Sequence, residues 1–290
     1  MTEQLEFVDS HVHFFDRSVP DLQWDWLAHE YVHPIWGSPD GFSSYRYTAT
    51  EFARESRFNN VSKCVHVQAA IGSPDPVAET AWLQLMADEG SFPQAIIADA
   101  RLQEPNVGNI LERHAEYSNM RGIRDFGVGK FLTDRHFEQG YAHLSRYGWL
   151  YELASPWQEF DDALALARRH PSTTMVVEHC GFPSERTDEY FTNWRSALRR
   201  LGSAPNTVIK ISGLGMGDPD WTLTSLRPWI QECLGVFGLD RAFFGTNWPL
   251  DRLFSSYTDV VQAYRELISD LTIGEQRSLL SGTAARIYGI

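Results

Sequence analysis

The sequence carries two histidines one residue apart, His11 and His13 in "HVH". In an extended chain, residues two apart face the same side. The two imidazoles therefore enter one space, an arrangement that suits a divalent metal. The bland alternative is a pair that only hydrogen-bonds in a polar mouth. His66 and Gln68 repeat the spacing in "CVHVQAA", where His66 could equally be a satisfied core histidine. Further on come Asp99 and Arg101, Arg121 and Arg124 in "RGIRDF", Glu152, His179, and Lys210 with Ser212. Guanidinium forks match carboxylates. Arg121, Arg124 and Lys210 thus point to an anionic small-molecule substrate, or to a carbonyl whose oxyanion needs stabilising. The competing reading pairs them with Asp99, Asp125 and Glu152 in ion pairs that merely hold the fold. The last chemically notable position is an amide. The stretch "AFFGTNWP" (242–249) stops on Asn247, which cannot take a proton as a carboxylate would.

Each of these residues ends or follows a short apolar run. Eight runs, at 5–11, 61–70, 95–102, 120–126, 149–154, 174–180, 208–213 and 242–248, alternate with segments of helical period. Eight such units close a (β/α)8 TIM barrel, typically of ~250 residues, with catalytic groups at the C-terminal strand ends. The stretch 75–90 places Val77, Ala81 and Leu85 on one helical face, with Trp82 beside it. The stretches 161–170 and 259–271 are further amphipathic helices, the former with an acidic start and a basic end that suit the helix dipole. No linker, composition break or repeat divides the chain, so residues 1–290 are expected to form one domain. The connection after the first run is long and aromatic, "FFDRSVPDLQWDWLAHEYVHPIWGSPDGFSSYRY". After the first strand of a barrel it lies on the active-site side. It is expected to be a partial lid; Trp24, Trp26, Trp36, Tyr45 and Tyr47 could together wall a ring-shaped ligand, while each taken alone fits packing within the lid better. The alternative is packing against a neighbouring subunit of a homo-oligomer.

Composition narrows the partners. The 290 residues have a hydrophobic fraction of 43% and a net charge of −13. That balance argues against nucleic acid or an anionic membrane as a partner. Cys64, Cys180 and Cys233 are few, odd in number and far apart, which suggests neither a disulfide framework nor a Cys-based metal site. No leader segment and no membrane-spanning run is visible, so a cytoplasmic location is expected. "SGLGMGD" lacks the spacing of a dinucleotide loop, and no Gly-x-Ser-x-Gly elbow is present.

The ordered set "FVDSHVHFFD", "PVAETAWLQ", "RGIRDF", "VVEHCGFP", "NTVIKISGLG", "FFGTNWP" and "LLSGTAARIYGI" resembles the amidohydrolase superfamily over essentially the whole chain. The resemblance is to its second large family of lactonases and decarboxylases, in particular the sugar-acid lactonases and 2-pyrone-4,6-dicarboxylate lactonase. It implies a (β/α)8 barrel with a site built from His11, His13, His179 and the strand-eight position. That last position is usually Asp in the superfamily and is Asn247 here.

The departure has a chemical consequence. A general base is worth typically 10²–10⁴-fold, and Asn247 cannot supply it. His179, with a reference pKa of ~6.5, is the expected substitute, ahead of Glu152 and Asp251. A divalent metal on His11, His13 and His179 would instead acidify water to a pKa near ~7. These ligands are neutral, so one Zn or Mn ion is expected to bind weakly, or the site to work without metal. Arg124 joins His179 and Asn247 as a catalytic candidate. His66, Gln68, Arg121, Glu152 and Lys210 are candidates for binding substrate. The expected activity is opening of a lactone or related cyclic ester, of a carboxylate-bearing or sugar-acid substrate, by activated water. The alternatives are a metal-dependent decarboxylase and a ligand-binding homologue impaired at Asn247.

Overall fold

Apolar residues alternate through two cores. The computed structural model describes residues 4–42, 44–90 and 92–290. Residues 1–3, part of the start inspected above for a leader, and Ser43 of the aromatic connection lie outside these. Eight parallel strands form one sheet in sequence order: β1 (Phe7–Val12), β2 (Val61–Val67), β3 (Ala95–Asp99), β4 (Met120–Arg124), β5 (Leu150–Leu153), β6 (Met175–Val177), β7 (Thr207–Ile211) and β8 (Ala242–Phe244). The inner core joins Val8, Val65, Ile97, Leu150, Val176, Val208 and Phe243 to Tyr288, whose helix, Thr283–Tyr288, plugs the bottom. Alternate residues such as Ile96, Ile123, Tyr151 and Ile209 face outward into the larger core under the helices. Such side chains fill a barrel of this size and leave no pore.

The sheet closes where β8 meets β1. The Ser10 hydroxyl donates to the Phe244 carbonyl at 2.7 Å, and the His13 amide to the Trp248 carbonyl at 2.7 Å. The Asp9 carboxylate, fully buried, accepts from the Thr246 amide (2.9 Å), the Thr246 hydroxyl (2.6 Å), the Tyr257 hydroxyl (3.0 Å) and the His11 amide (3.3 Å). A register shift between Asp9 and Val12 reverses the alternation locally. It lets Val8 and, three residues on, His11 both face the interior.

All eight expected strands are present, most of them shorter at the C-terminal end than the apolar runs. The run 174–180 pairs only through Val177, because His179 and Cys180 take left-handed backbone conformations, φ 50° and 55°. The helix Val77–Glu89 corrects the sequence-based face. Leu85 is 62% exposed, whereas Glu79, Thr80 and Gln84 are buried. Its inner face is polar because Glu79 accepts from the Ala69 and Ala70 amides at 2.9 and 2.8 Å. The aromatic connection is not structureless. Its ends, Phe15–Asp16 and Arg46–Tyr47, pair as an antiparallel ribbon, with 3₁₀ turns at Asp25–Leu27 and Pro39–Gly41 between them. Among the described residues, no helix is long and apolar enough to cross a membrane, and all three cysteines are free and buried.

Asp9→Ala would leave the hydroxyls and amides at the seam buried without their acceptor. It should cost about 3 kcal/mol or more, measured by urea denaturation. A loss within the error of the method would show that the seam holds without this carboxylate.

Candidate active site

At the C-terminal ends of the strands a cavity of ≈ 330 Å³ opens between the barrel and the aromatic connection. His13, Gln68, Arg124, His179 and Asn247 form its polar part, and Trp26, Tyr31, Trp36, Phe126, Phe182 and Met216 are among its walls. His13, Arg124, His179 and Asn247, expected at the site from sequence, thus reach one space. His11 lies just beneath, with its Nε2 3.1 Å from His13 Nε2.

Each polar group is held from behind. His13 Nδ1 donates to the Val67 carbonyl at 2.8 Å, which leaves its Nε2 with the lone pair. His179 Nδ1 lies 2.9 Å from the Ser212 hydroxyl. The Asn247 amide nitrogen donates to Asp251 Oδ1 at 2.8 Å, so its amide oxygen is the atom left for a ligand. Asn247 has φ 59°, a left-handed conformation that asparagine tolerates better than most residues. Arg124 donates to Glu178 Oε2 at 3.1 Å and to Gln68 Oε1 at 2.9 Å, while its buried Nε has no partner.

Burial sets the protonation states. It lowers the His11 pKa well below its ordinary value, helped by Lys210 and the neighbouring imidazoles. His13 shifts the same way through burial and Arg124. His179 falls to about 3, with burial the main cause, Glu178 opposing it and Arg124 and Lys210 adding to it. The three imidazoles are therefore neutral at neutral pH, as metal ligands must be. Burial also makes the His179 imidazole a weaker proton acceptor than its reference value suggests, which counts against the substitute-base role expected for it. Asp251 moves the other way, to about 8, because burial outweighs its bond from Asn247.

The residue that sequence reasoning missed is Glu178. With His11 and His179 it offers ligand atoms that all lie within 4.8 Å of one another. Tetrahedral zinc, with bonds near ~2.0–2.2 Å, places its ligands roughly 3.4 Å apart, so these donors are of the right types and would have to draw closer to hold an ion. Burial would raise the Glu178 pKa, but Arg124, His179 and Lys210 hold it well below the usual carboxylate range. This candidate group includes two of the three expected neutral ligands, His11 and His179, and adds one carboxylate whose charge Arg124 offsets. Its adjacency to His179 in "VVEHC" was the available signal. Strand alternation argues against it, and the left-handed turn at His179 overrides the alternation.

Four expected substrate contacts fall elsewhere. Arg121 lies at the opposite end of β4, where it donates to the Tyr288 and Ser118 carbonyls at 2.7 and 2.8 Å. Its side chain leaves the barrel at the bottom because it lies at the start of the strand, next to Met120, while Arg124 ends it. His66 is fully buried, accepting from the Phe14 amide and paired with Glu79 at 3.1 Å, a satisfied core histidine. Glu152 and Lys210 are fully buried and pair with each other at 2.6 Å below the cavity. Glu152 also accepts from the Tyr288 hydroxyl, and Lys210 Nζ sits 3.4 Å from His11 Nδ1. Of the aromatic walls, Trp26 and Trp36 reach the cavity, while Trp24 and Tyr47 are buried outside its lining and Tyr45 is 64% exposed.

A parallel eight-stranded barrel with imidazoles, a carboxylate and a guanidinium at its C-terminal mouth defines a TIM-barrel enzyme. The chain belongs to the amidohydrolase family, whose model it matches over residues 8–290. It is similar to the uncharacterized protein y4mH of Sinorhizobium fredii, 32% identical across 99% of both chains. It is also similar to an L-fucono-1,5-lactonase of Burkholderia multivorans, 29% identical across 98% of this chain and 96% of that protein. The crystal structure of an amidohydrolase from Burkholderia multivorans with bound zinc superposes with a TM-score of 0.83, at 27% identity, over 98% of this chain and 99% of the other.

Two outcomes follow from this geometry. Glu178→Gln should weaken zinc binding by roughly tenfold or more, read by competition with a chromophoric chelator, and unchanged affinity would remove Glu178 from the ligand set. The second concerns Asp251, whose carboxyl titrates near 3.8 when unfolded and about 8 when folded. Between these values the folded chain keeps a proton that the unfolded chain releases, so stability falls as pH rises through this window. Asp251→Asn removes that dependence. Denaturation midpoints of variant and wild type should lie close near pH 4 and separate in favour of the variant towards pH 8.

Proposed function

We propose that this protein hydrolyses lactones, and that residues 1–290 form one domain devoted to that activity. The observation that carries the reading is the convergence of a neutral histidine cluster, Arg124 and the Asn247 amide on one ≈ 330 Å³ cavity. Similarity to proteins called L-fucono-1,5-lactonase along 98% of the chain supports ester-ring opening over decarboxylation. Charge supports a neutral substrate over the anionic one expected from sequence. Arg124 is balanced by Glu178, Lys210 is paired with Glu152, and Arg121 is at the other end of the barrel.

The roles follow from the positions. The partnerless Arg124 Nε–H is a donor for the carbonyl oxygen as negative charge develops on it. The Asn247 oxygen, set by Asp251, accepts a hydrogen bond from water and orients it without taking its proton. Among the described residues no carboxylate lines the cavity, and the lining histidines are depressed by burial. A divalent metal held by His11, Glu178 and His179, with His13 beside them, would polarise the ester carbonyl and acidify water. His13 and His179 stay neutral, and the aromatic walls limit the access of bulk water.

Ring opening of a panel of neutral lactones, followed by acid release in a pH-stat with zinc present, tests the reading. Arg124→Met should lower kcat and kcat/KM together by about 10²-fold or more. His179→Ala should lose far more than Asn247→Ala. Failure of the zinc-supplied protein to open any lactone would sink the lactonase reading.

A further inference from the structure

The cavity is divided by chemistry. Its polar atoms gather on the floor, and most are already committed: His13 to Val67, Gln68 to Arg124, Asn247 to Asp251 and His179 to Ser212. Even Trp26 Nε1, in the wall, donates to the Ala69 carbonyl at 2.6 Å. Tyr31 and His33 add polar atoms to the wall, and the other groups left for a ligand lie at the floor. Above it Trp36, Phe126, Phe182 and Met216 form an apolar collar.

The collar is built and rigid on one side. The His33 ring stacks on Trp36 at 4.9 Å with 6° between planes, and Tyr31 packs on the same indole at 5.8 Å. His33 and Gly37 exchange both backbone hydrogen bonds, at 2.9 and 3.0 Å, which fixes the turn that carries Trp36. On the loop after β4, Phe126 lies under the Arg124 guanidinium at 4.8 Å and is still 46% exposed. Beyond it Val128 is 70% exposed, and Val32, in the Trp36 loop, is 71% exposed. Apolar surface thus runs from the inside of the cavity out onto its rim, a pattern that marks a binding surface. A ring carrying several hydroxyls would find few partners on Trp36, Phe126, Phe182 and Met216, and each hydroxyl left unpaired there weakens binding.

We propose that the natural substrate is a lactone carrying an alkyl or aryl substituent of several carbons, seated against Trp36 and Phe126 with the ester on the polar floor. This rests on the lactonase reading of the same cavity, and it names Trp36 and Phe126 as residues that set specificity.

Two homologous series separate the claims. The first is γ-butyrolactone and its 4-alkyl derivatives up to hexyl, assayed for ring opening. The second is 3-alkylcyclopentanones, which have the shape but no ester to open, titrated by calorimetry. In both series, kcat/KM or the association constant should rise roughly threefold per methylene until the collar is covered. Trp36→Ala and Phe126→Ala should flatten that slope, whereas Phe58→Ala, on the surface outside the cavity, should keep it. Chain-length-dependent binding of the ketones with no lactone opened would uphold the substituent inference and sink the lactonase reading. Flat dependence in the ketone series would overturn the inference. So would a slope unchanged in both collar variants, or tighter binding of hydroxymethyl-bearing analogues than of their ethyl counterparts.

Discussion

The site depends on the closure of the barrel between its first and last strands. His11 and His13 stand on and just after β1, and Asn247 follows β8, so these residues meet only if the sheet comes full circle. The join is made less by a long ladder than by one buried carboxylate. Asp9 gathers donors from its own strand, from Thr246 and from Tyr257 in the helix Tyr257–Leu267. Burial raises its pKa to about 6 despite these bonds. That shift records the cost of placing a carboxylate in the core, and the four donors are what make the placement tolerable.

A second layer of charge lies inside the barrel below the cavity. Glu152 pairs with Lys210, and Glu178 with Arg124. Buried pairs of this kind are weak arguments for stability. Their effect on the histidines is clearer. Two cations beside desolvated imidazoles oppose a further positive charge, which keeps His11 and His179 unprotonated. The same cations work against a divalent ion, while the Glu178 carboxylate favours one. Metal affinity at this site is therefore a balance among neighbours that are themselves fixed by the strands.

Backbone conformation concentrates at the same place. Of the non-glycine residues with positive φ among those described, His179, Cys180, Phe182 and Asn247 all lie at the ends of β6 and β8. Such conformations are costly and persist where the surroundings over-determine them. Here they turn side chains that strand alternation would send outward towards the mouth. Asn247 suits this demand, since a short amide accepts the left-handed backbone and has one end to tie to Asp251 and another to present. The loss of a carboxylate at this point thus coincides with a carboxylate one hydrogen bond behind it.

The sequence by itself determined the architecture and much of the floor. Eight apolar runs separated by helical segments leave few alternatives to a barrel, and a barrel puts strand ends together. His11, His13, Arg124, His179 and Asn247 could be named because each lies at the C-terminal end of a run. Tertiary structure alone decided the rest. Arg121 and Arg124 share one short strand, yet they leave the barrel at opposite ends. Lys210 and Glu152 have the right strands but sit one layer too deep, where they pair with each other. Glu79, outside the helix face of Val77, Ala81 and Leu85 that periodicity picked out, became the partner of His66 while accepting from the amides of Ala69 and Ala70. Glu178 was hidden by the rule that found its neighbours, since alternation holds only while the chain is extended, and the chain stops being extended at His179.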